Sequence, residues 1–293
     1  MSTDIRVGVA GLGKMGSAFA QNWLAHNYQV AVWDRSPEAL TELVKAGATP
    51  YSSLEAMVSA VDCVVTMLWD DEVARAITLT KVVPAIKPTA ILVEMSTLSP
   101  RMYSTIQAAA TERGVRFVAA PVLGSVDQAR LGTLTVLAGG DGPTIELIRP
   151  LIACLGTVLS TGSAAASGFL KLANNVVLGI FAEAEGELLE LSARAGLDRR
   201  LAVESITGAF ERAARSKKQQ LLDDDARPRF SLDALLKDLR LASQAAESVN
   251  ASVALLQCVL PRFAEAADRG LGNSDYIALA LERSRVVASG ARP

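Results

Sequence analysis

Lys171, Asn174 and Asn175 stand in the segment GFLKLANNVVLG (168–179), where an ammonium and two carboxamides interrupt Phe169, Leu170, Leu172, Val176, Val177 and Leu178. No proline follows until Pro228, so the segment reads as one helix, apolar enough for burial apart from these groups. In a helix, Asn175 lies one turn beyond Lys171 and Asn174 just short of it, which gathers the three groups on or near one face. A partly buried lysine has its pKa drawn towards neutrality and still gives up a proton, while a carboxamide holds the oxygen that receives it. The same spacing also suits a lysine that snorkels along an apolar surface while the asparagines cap neighbouring helices. Spacing leaves both open.

Other proton carriers are scarce. His26, in WLAHNYQV, is the only histidine, which argues against a histidine base or a histidine-rich metal site. Cys63, Cys154 and Cys258 are far apart and embedded in VDCVV, LIACLG and LLQCVL, and they read as small core hydrophobes, not bridges or ligands. No metal is expected.

A second chemical signal lies near the start. GLGKMG (Gly11, Leu12, Gly13, Lys14, Met15, Gly16) follows an apolar strand, opens a helix, and is followed about twenty residues later by Asp34 at the end of a second strand. In that context Gly11 allows the tight turn, Gly13 lets backbone N–H groups approach a pyrophosphate, and Gly16 permits close helix-to-sheet packing. A dinucleotide cofactor is expected. Asp34 suits the ribose hydroxyls of NAD, whereas Arg35 and Ser36 suit the 2′-phosphate of NADP by charge-assisted contacts. We expect NADP to be preferred, with NAD possible. A carbonyl that receives hydride also needs a proton, and without a usable histidine its donor is a lysine, a tyrosine or a carboxylic acid.

The elements that position these groups divide the chain in two. Up to about residue 162, β-branched runs (IRVGVA, QVAVW, DCVVTML, AILVEM, VRFVAAPV, TLTVLAGG, TVLST) alternate with helical stretches. This predicts an α/β domain, residues 1–162, with a doubly wound, mostly parallel sheet of the Rossmann type. From 163 to 293 the pattern is helical throughout, predicting an all-α substrate and dimerisation domain that opens with a long interdomain helix from about Ser167 to Ala195, stopped by Gly196. DDDARPRF and DRGLGNSD mark later loops. The chain of 293 residues is 50% hydrophobic and 20% charged, enough to give each domain a core. A net charge of −2 with scattered basic residues argues against nucleic acid and acidic membrane surfaces. No uninterrupted run of eighteen apolar residues occurs, and the start lacks a basic region or cleavage pattern, so a soluble cytoplasmic protein is expected.

Five blocks, in order, resemble the β-hydroxyacid dehydrogenase family, which includes 3-hydroxyisobutyrate dehydrogenases, tartronate semialdehyde reductases and glyoxylate or succinic semialdehyde reductases. They are GLGKMG (11–16), EMSTLSP (94–100), AAPVLGSVDQARLGTLTVLAGGD (119–141), KLANN (171–175) and FSLDALLKDLRLA (230–242). The resemblance implies a small-molecule substrate, an assembly of two or four copies, and a reversible oxidoreductase acting between a hydroxyl and a carbonyl. It implies Lys171 as general acid and base, with Asn175 orienting the substrate and Asn174 beside it. It places Ser96 and Thr97 near nicotinamide and substrate, and Gly124 and Ser125 in a second substrate loop. Phe230 and Asp238 would line the cleft, Lys237 would reach towards the cofactor, and Met67 and Leu68 would touch the dinucleotide.

Three residues depart from the family pattern. Leu123 replaces a carboxylate-binding serine, Glu94 replaces a more frequent aspartate, and Trp69 stands where proline is common. Leucine cannot donate, so carboxylate binding falls to Gly124 and Ser125, or the substrate is less polar. Two other readings follow. Imine reductases resemble this architecture and take apolar substrates; Leu123 points that way and Lys171 points away. A non-catalytic dinucleotide-binding module is the remaining one.

Overall fold

The computed structural model describes residues 5–288; the outermost residues of the two expected domains, 1–4 and 289–293, lie outside the described residues, as does the very start of the chain. Two compact units are resolved, Met1–Val176 and Val177–Pro293.

The first unit is built on one sheet of β1 (Arg6–Ala10), β2 (Gln29–Trp33), β3 (Thr49–Pro50), β4 (Cys63–Thr66), β5 (Ile91–Glu94), β6 (Arg116–Ala119), β7 (Val122–Leu123), β8 (Leu134–Gly140) and β9 (Gly156–Gly162). The strand order is β3-β2-β1-β4-β5-β6-β8-β7, with β9 on the parallel side of β8. Pairing is parallel from β3 to β6 and antiparallel where β8 meets β6 and β7. Sequences such as CVVT and ILVE are buried throughout, as central parallel strands covered on both faces must be. The chain changes direction across the sheet between β1 and β4, and open α/β sheets bind ligands at the carboxyl ends beside such a switch point.

Helices α1 (Lys14–Ala25), α2 (Thr41–Lys45), α3 (Leu54–Ala60), α4 (Asp71–Ala74), α5 (Val83–Ala85), α6 (Pro100–Glu112), α7 (Val126–Leu131) and α8 (Gly142–Ala153) complete the layers, with a π-helical stretch Arg75–Val82 joining α4 to α5. One face is sealed by Phe19, Trp23, Ile148 and Leu151 from α1 and α8, the other by Leu54, Met57, Met102, Tyr103 and Ile106 from α3 and α6. Each such side chain contributes about 1.5–3 kcal/mol by leaving water. Trp23 also donates its indole N–H to the Leu151 carbonyl at 2.9 Å, which fixes α1 against α8.

The long helix, α9 (Ala164–Arg194), starts slightly before the position expected from sequence and ends as expected at Gly196, whose φ of +75° suits glycine. The second unit continues with α10 (Arg199–Leu222), α11 (Leu232–Ser248), α12 (Ala254–Ala266) and α13 (Ala278–Ala288); its described residues contain no strand beyond one bridge, Ser231 to Asp275. DRGLGNSD is a loop only in part, because Ala267–Leu271 still winds as a π-helix.

One expectation needs correction. The apolar residues beside Lys171 are not buried within the chain: Phe169, Val176, Val177 and Leu178 are each at least 60% exposed. A helix this long and apolar also satisfies, by length and composition, what crossing a membrane requires, although no uninterrupted apolar run exists. Lys171 alone would cost about 2.5–3.5 kcal/mol near the centre of such a span.

Candidate active site

The glycine-rich turn joins β1 to α1. A Cβ on Gly11, whose φ is +97°, would collide with the Met67 carbonyl, and one on Gly16 would collide with the Gly11 carbonyl. The turn is therefore packed directly on the turn after β4, where Met67 and Leu68 are half-buried and Trp69 is exposed. Gly13 differs, with nothing within 4 Å of where its Cβ would be. It is the N-cap of α1 and supplies no side-chain hydrogen bond, whereas Ser53, Asp70, Ser99, Ser125 and Asp141 cap α3, α4, α6, α7 and α8. The first-turn amides of α1 thus point into open space beside exposed Lys14 and half-buried Met15, which fits a pyrophosphate. Asp34 accepts the buried Leu12 amide at 2.7 Å on one oxygen and the Ser36 amide at 2.9 Å on the other, so it braces the turn. Arg35 and Ser36 are exposed, and Arg35 forms no ion pair among the described residues.

The ends of β4 and β5 are tied together from below. Glu94, fully buried, accepts from the Thr66 hydroxyl at 2.7 Å, the Thr78 hydroxyl at 3.0 Å, and the Ser96 amide at 3.0 Å and hydroxyl. Ser96 Oγ in turn accepts the Leu68 amide at 2.7 Å. The Ser96 side chain is committed and buried, so from this turn half-buried Thr97 is the side chain that reaches outward. Tyr103 donates its hydroxyl to the Ser96 carbonyl.

The helix that carries Lys171, α9, is docked beside this turn. Gly168, one turn earlier, is buried against Tyr103 and Pro100: a Cβ there would sit 2.9 Å from the Tyr103 ring and 3.3 Å from Pro100 Cα. Continuous contacts therefore run from α9 through Tyr103, Ser96 and Leu68 to Gly11. Half-buried Lys171 makes no hydrogen bond or ion pair among the described residues, and burial pulls its amine below the ordinary lysine pKa. Asn174 is half-buried and Asn175 exposed, both without side-chain partners among the described residues.

The loop after β7 is more constrained than its sequence suggests. Ser125 is the N-cap of α7, its amide donating to Gln128 Oε1 at 2.8 Å and its Oγ accepting the Gln128 amide at 3.3 Å. This capping box uses the Ser125 amide and leaves its hydroxyl hydrogen to donate. Exposed Gly124 has φ +130° and is crowded by Leu134 and Gln128, so the position requires glycine; Leu123 is half-buried. Asn22, on α1, donates to the Ala129 and Arg130 carbonyls at 3.2 and 3.3 Å and so holds the far end of α7.

In the second unit, Phe230 stacks edge-on against Tyr276 with ring centroids 6.2 Å apart. Lys237 and Asp238 pair with each other at 3.0 Å on an exposed surface, an interaction worth under about 1 kcal/mol and readily exchanged. Sequence reasoning missed what holds Phe230. Asp275 accepts the amides of Arg229, Phe230 and Ile277 at 2.9, 3.2 and 3.1 Å and both its oxygens meet the buried Lys217 ammonium at 2.8 Å. That ammonium also donates to Gln220 at 3.1 Å and lies 4.5 Å from the centre of the Tyr276 ring. No local signal joins residues so far apart in sequence. The α7 capping box went unread too, although it has a local signature in SVDQ.

Among the described residues no cluster of three metal-ligating side chains occurs.

Residues 6–165 match a family model described as the NAD binding domain of 6-phosphogluconate dehydrogenase. Residues 165–281 match one described as NAD-binding of NADP-dependent 3-hydroxyisobutyrate dehydrogenase. The mitochondrial 3-hydroxyisobutyrate dehydrogenase of Drosophila melanogaster is 29% identical over 285 residues, covering 92% of this chain and 86% of that protein. Among solved structures, the Mycobacterium tuberculosis 3-hydroxyisobutyrate dehydrogenase with L-serine is 28% identical, with a TM-score of 0.66 over 96% of this chain and 99% of that one. An imine reductase from Pseudomonas sp. has a TM-score of 0.81 over 94% of this chain and 98% of its own, at 22% identity, a likeness of fold alone.

Proposed function

Because the chain belongs to the β-hydroxyacid dehydrogenase family and is an NAD(P)-dependent oxidoreductase, we propose that it interconverts a small β-hydroxyacid with its semialdehyde, or a hydroxyacid with its keto acid, using Lys171 as proton carrier. The bound nicotinamide supplies or takes the hydride. Lys171 Nζ gives its proton to the carbonyl oxygen in reduction and recovers it in oxidation, while Asn175 holds that oxygen in line. The observation that carries this reading is an unpartnered, half-buried amine on a helix docked, through Gly168 and Tyr103, on the turn that contacts the dinucleotide loop. Thr97, the Ser125 hydroxyl and Gly124 are assigned to the substrate carboxylate, with Asn174, Phe230 and Asp238 completing the substrate surface and Ser96 acting through its position. The relative solved with L-serine is consistent with a β-hydroxyacid.

NADP is the cofactor we assign, since each Asp34 oxygen already accepts a backbone amide and Arg35 is free to meet a phosphate. We assign Lys237 to the cofactor as well. Arg35→Ala should weaken NADPH by about 10- to 100-fold, the scale of a lost charge-assisted hydrogen bond, and leave NADH nearly unchanged. Titrating both cofactors checks this; equal losses would return the preference to NAD.

We assign residues 1–162 to the dinucleotide-binding domain and 163–293 to the helical domain. The protein is proposed to be a soluble, cytoplasmic homodimer or homotetramer, because the exposed apolar residues of α9 form a surface that a second copy would cover. Leu123 favours a second reading, reduction of less polar C=N substrates. Incubation with NADPH and succinic semialdehyde, glyoxylate or a cyclic imine separates the two: turnover of a carbonyl is expected, and turnover of the imine alone would refute the first reading.

A further inference from the structure

Glu94 is the last residue of β5 and is fully buried, yet no cationic side chain among the described residues pairs with it. Its oxygens receive four donors: the Thr66 and Thr78 hydroxyls on Oε2, and the amide and hydroxyl of Ser96 on Oε1. The Ser96 amide can only donate, and each of the three hydroxyls has a hydrogen to give. A carboxyl group ringed by four groups able to donate is arranged to hold the anion. Burial raises its pKa, and the Ser96, Thr66 and Thr78 bonds offset that rise only in part.

The anion lies beneath the carboxyl ends of β4 and β5, beside the switch point between β1 and β4. Through Ser96 and Leu68 it reaches Met67, whose carbonyl touches the Gly11 turn. We propose that Glu94 is a positioning residue that carries an unpaired negative charge under the dinucleotide turns and sets which redox form of the cofactor is held more tightly. The oxidised nicotinamide ring carries a positive charge and the reduced ring is neutral, so a fixed anion on this side favours the oxidised form. It thereby eases hydride departure towards a carbonyl. The inference rests on the reading of the first unit as an NAD(P) site.

The test is the ratio of dissociation constants for NADP⁺ and NADPH, measured calorimetrically without substrate. Glu94→Gln, which keeps shape and removes charge, should raise that ratio roughly five- to thirty-fold, the range for one charge acting across a protein interior. Glu94→Asp keeps the charge and should keep the ratio. Ser96→Ala cuts the tie to Leu68 and takes a donor from Glu94, so it should weaken both forms and raise the ratio as well. An unchanged ratio in Glu94→Gln, or an equal rise in Glu94→Asp, would overturn the proposal. If Glu94→Gln does not fold, Thr78→Val takes its place: one donor fewer makes the charge harder to hold, so the ratio must rise, and an unchanged one overturns the proposal. Wild-type protein that binds neither form would instead remove the functional reading itself.

Discussion

Lys171→Ala is expected to lower turnover by about 10²–10⁴-fold while leaving cofactor affinity almost unchanged, the range for losing a general acid or base. The separation follows from geometry. The pyrophosphate is assigned to Gly13 and the first turn of α1, which lie on a different element from α9. The lysine has no ion pair or hydrogen bond to break among the described residues, so its removal should leave the fold intact. Lys171→Arg makes the test sharper, since it keeps the charge but cannot surrender the proton near neutral pH. Single-turnover rates with pre-bound NADPH check both variants, and near-normal rates in either would take the lysine out of the mechanism.

The second large effect concerns stability. Asp275→Asn should destabilise the second unit by about 3–5 kcal/mol, because it strands the buried Lys217 ammonium without its counter-ion. The pH dependence has a definite sign. Burial would raise the Asp275 pKa, but Lys217 and the amides of Arg229, Ile277 and Phe230 outweigh it and hold the carboxyl down to about 2. A folded pKa below the unfolded one gives stability that is present above about pH 4 and lost as pH falls towards 2, amounting to about 2 kcal/mol. Denaturant unfolding of wild type and variant across that range should show a smaller acid loss in the variant, by the share that Asp275 contributes. Replacing the pair by Lys217→Met with Asp275→Leu should not restore stability, because the three amides would still lack an acceptor. Full recovery in the double variant would contradict this.

Much of this was legible in the chain itself. The runs RVGVA, QVAVW, CVVT and ILVE announce a parallel sheet because strands buried on both faces cannot alternate with polar residues. GLGKMG was readable because its glycines are forced by backbone collisions, seen here at Gly11 and Gly16. Strand β3 was not, since two residues, Thr49 and Pro50, carry no periodicity. The antiparallel edge formed by β7 and β8 was hidden in a sequence no different in composition from the parallel strands. At the site, Lys171 stood out as a charge in an apolar helix, but the burial of Ser96 did not, because its partners are Leu68 in the turn after β4, Glu94 at the end of β5 and Tyr103 on α6. Ser125 read as a substrate donor is also a helix cap, and only the geometry of Gln128 reveals how much of it is left for a ligand.

The central claim is that one amine carries the proton in both directions, and the pH dependence of kcat/KM tests it most directly. Measured from about pH 6 to about pH 11, aldehyde reduction should fall and alcohol oxidation should rise through one shared pKa, since reduction needs the ammonium and oxidation the free amine. That pKa should lie below the ordinary lysine value, as burial of Lys171 dictates, and both limbs should vanish in Lys171→Ala. Limbs that persist in the alanine variant would contradict the account.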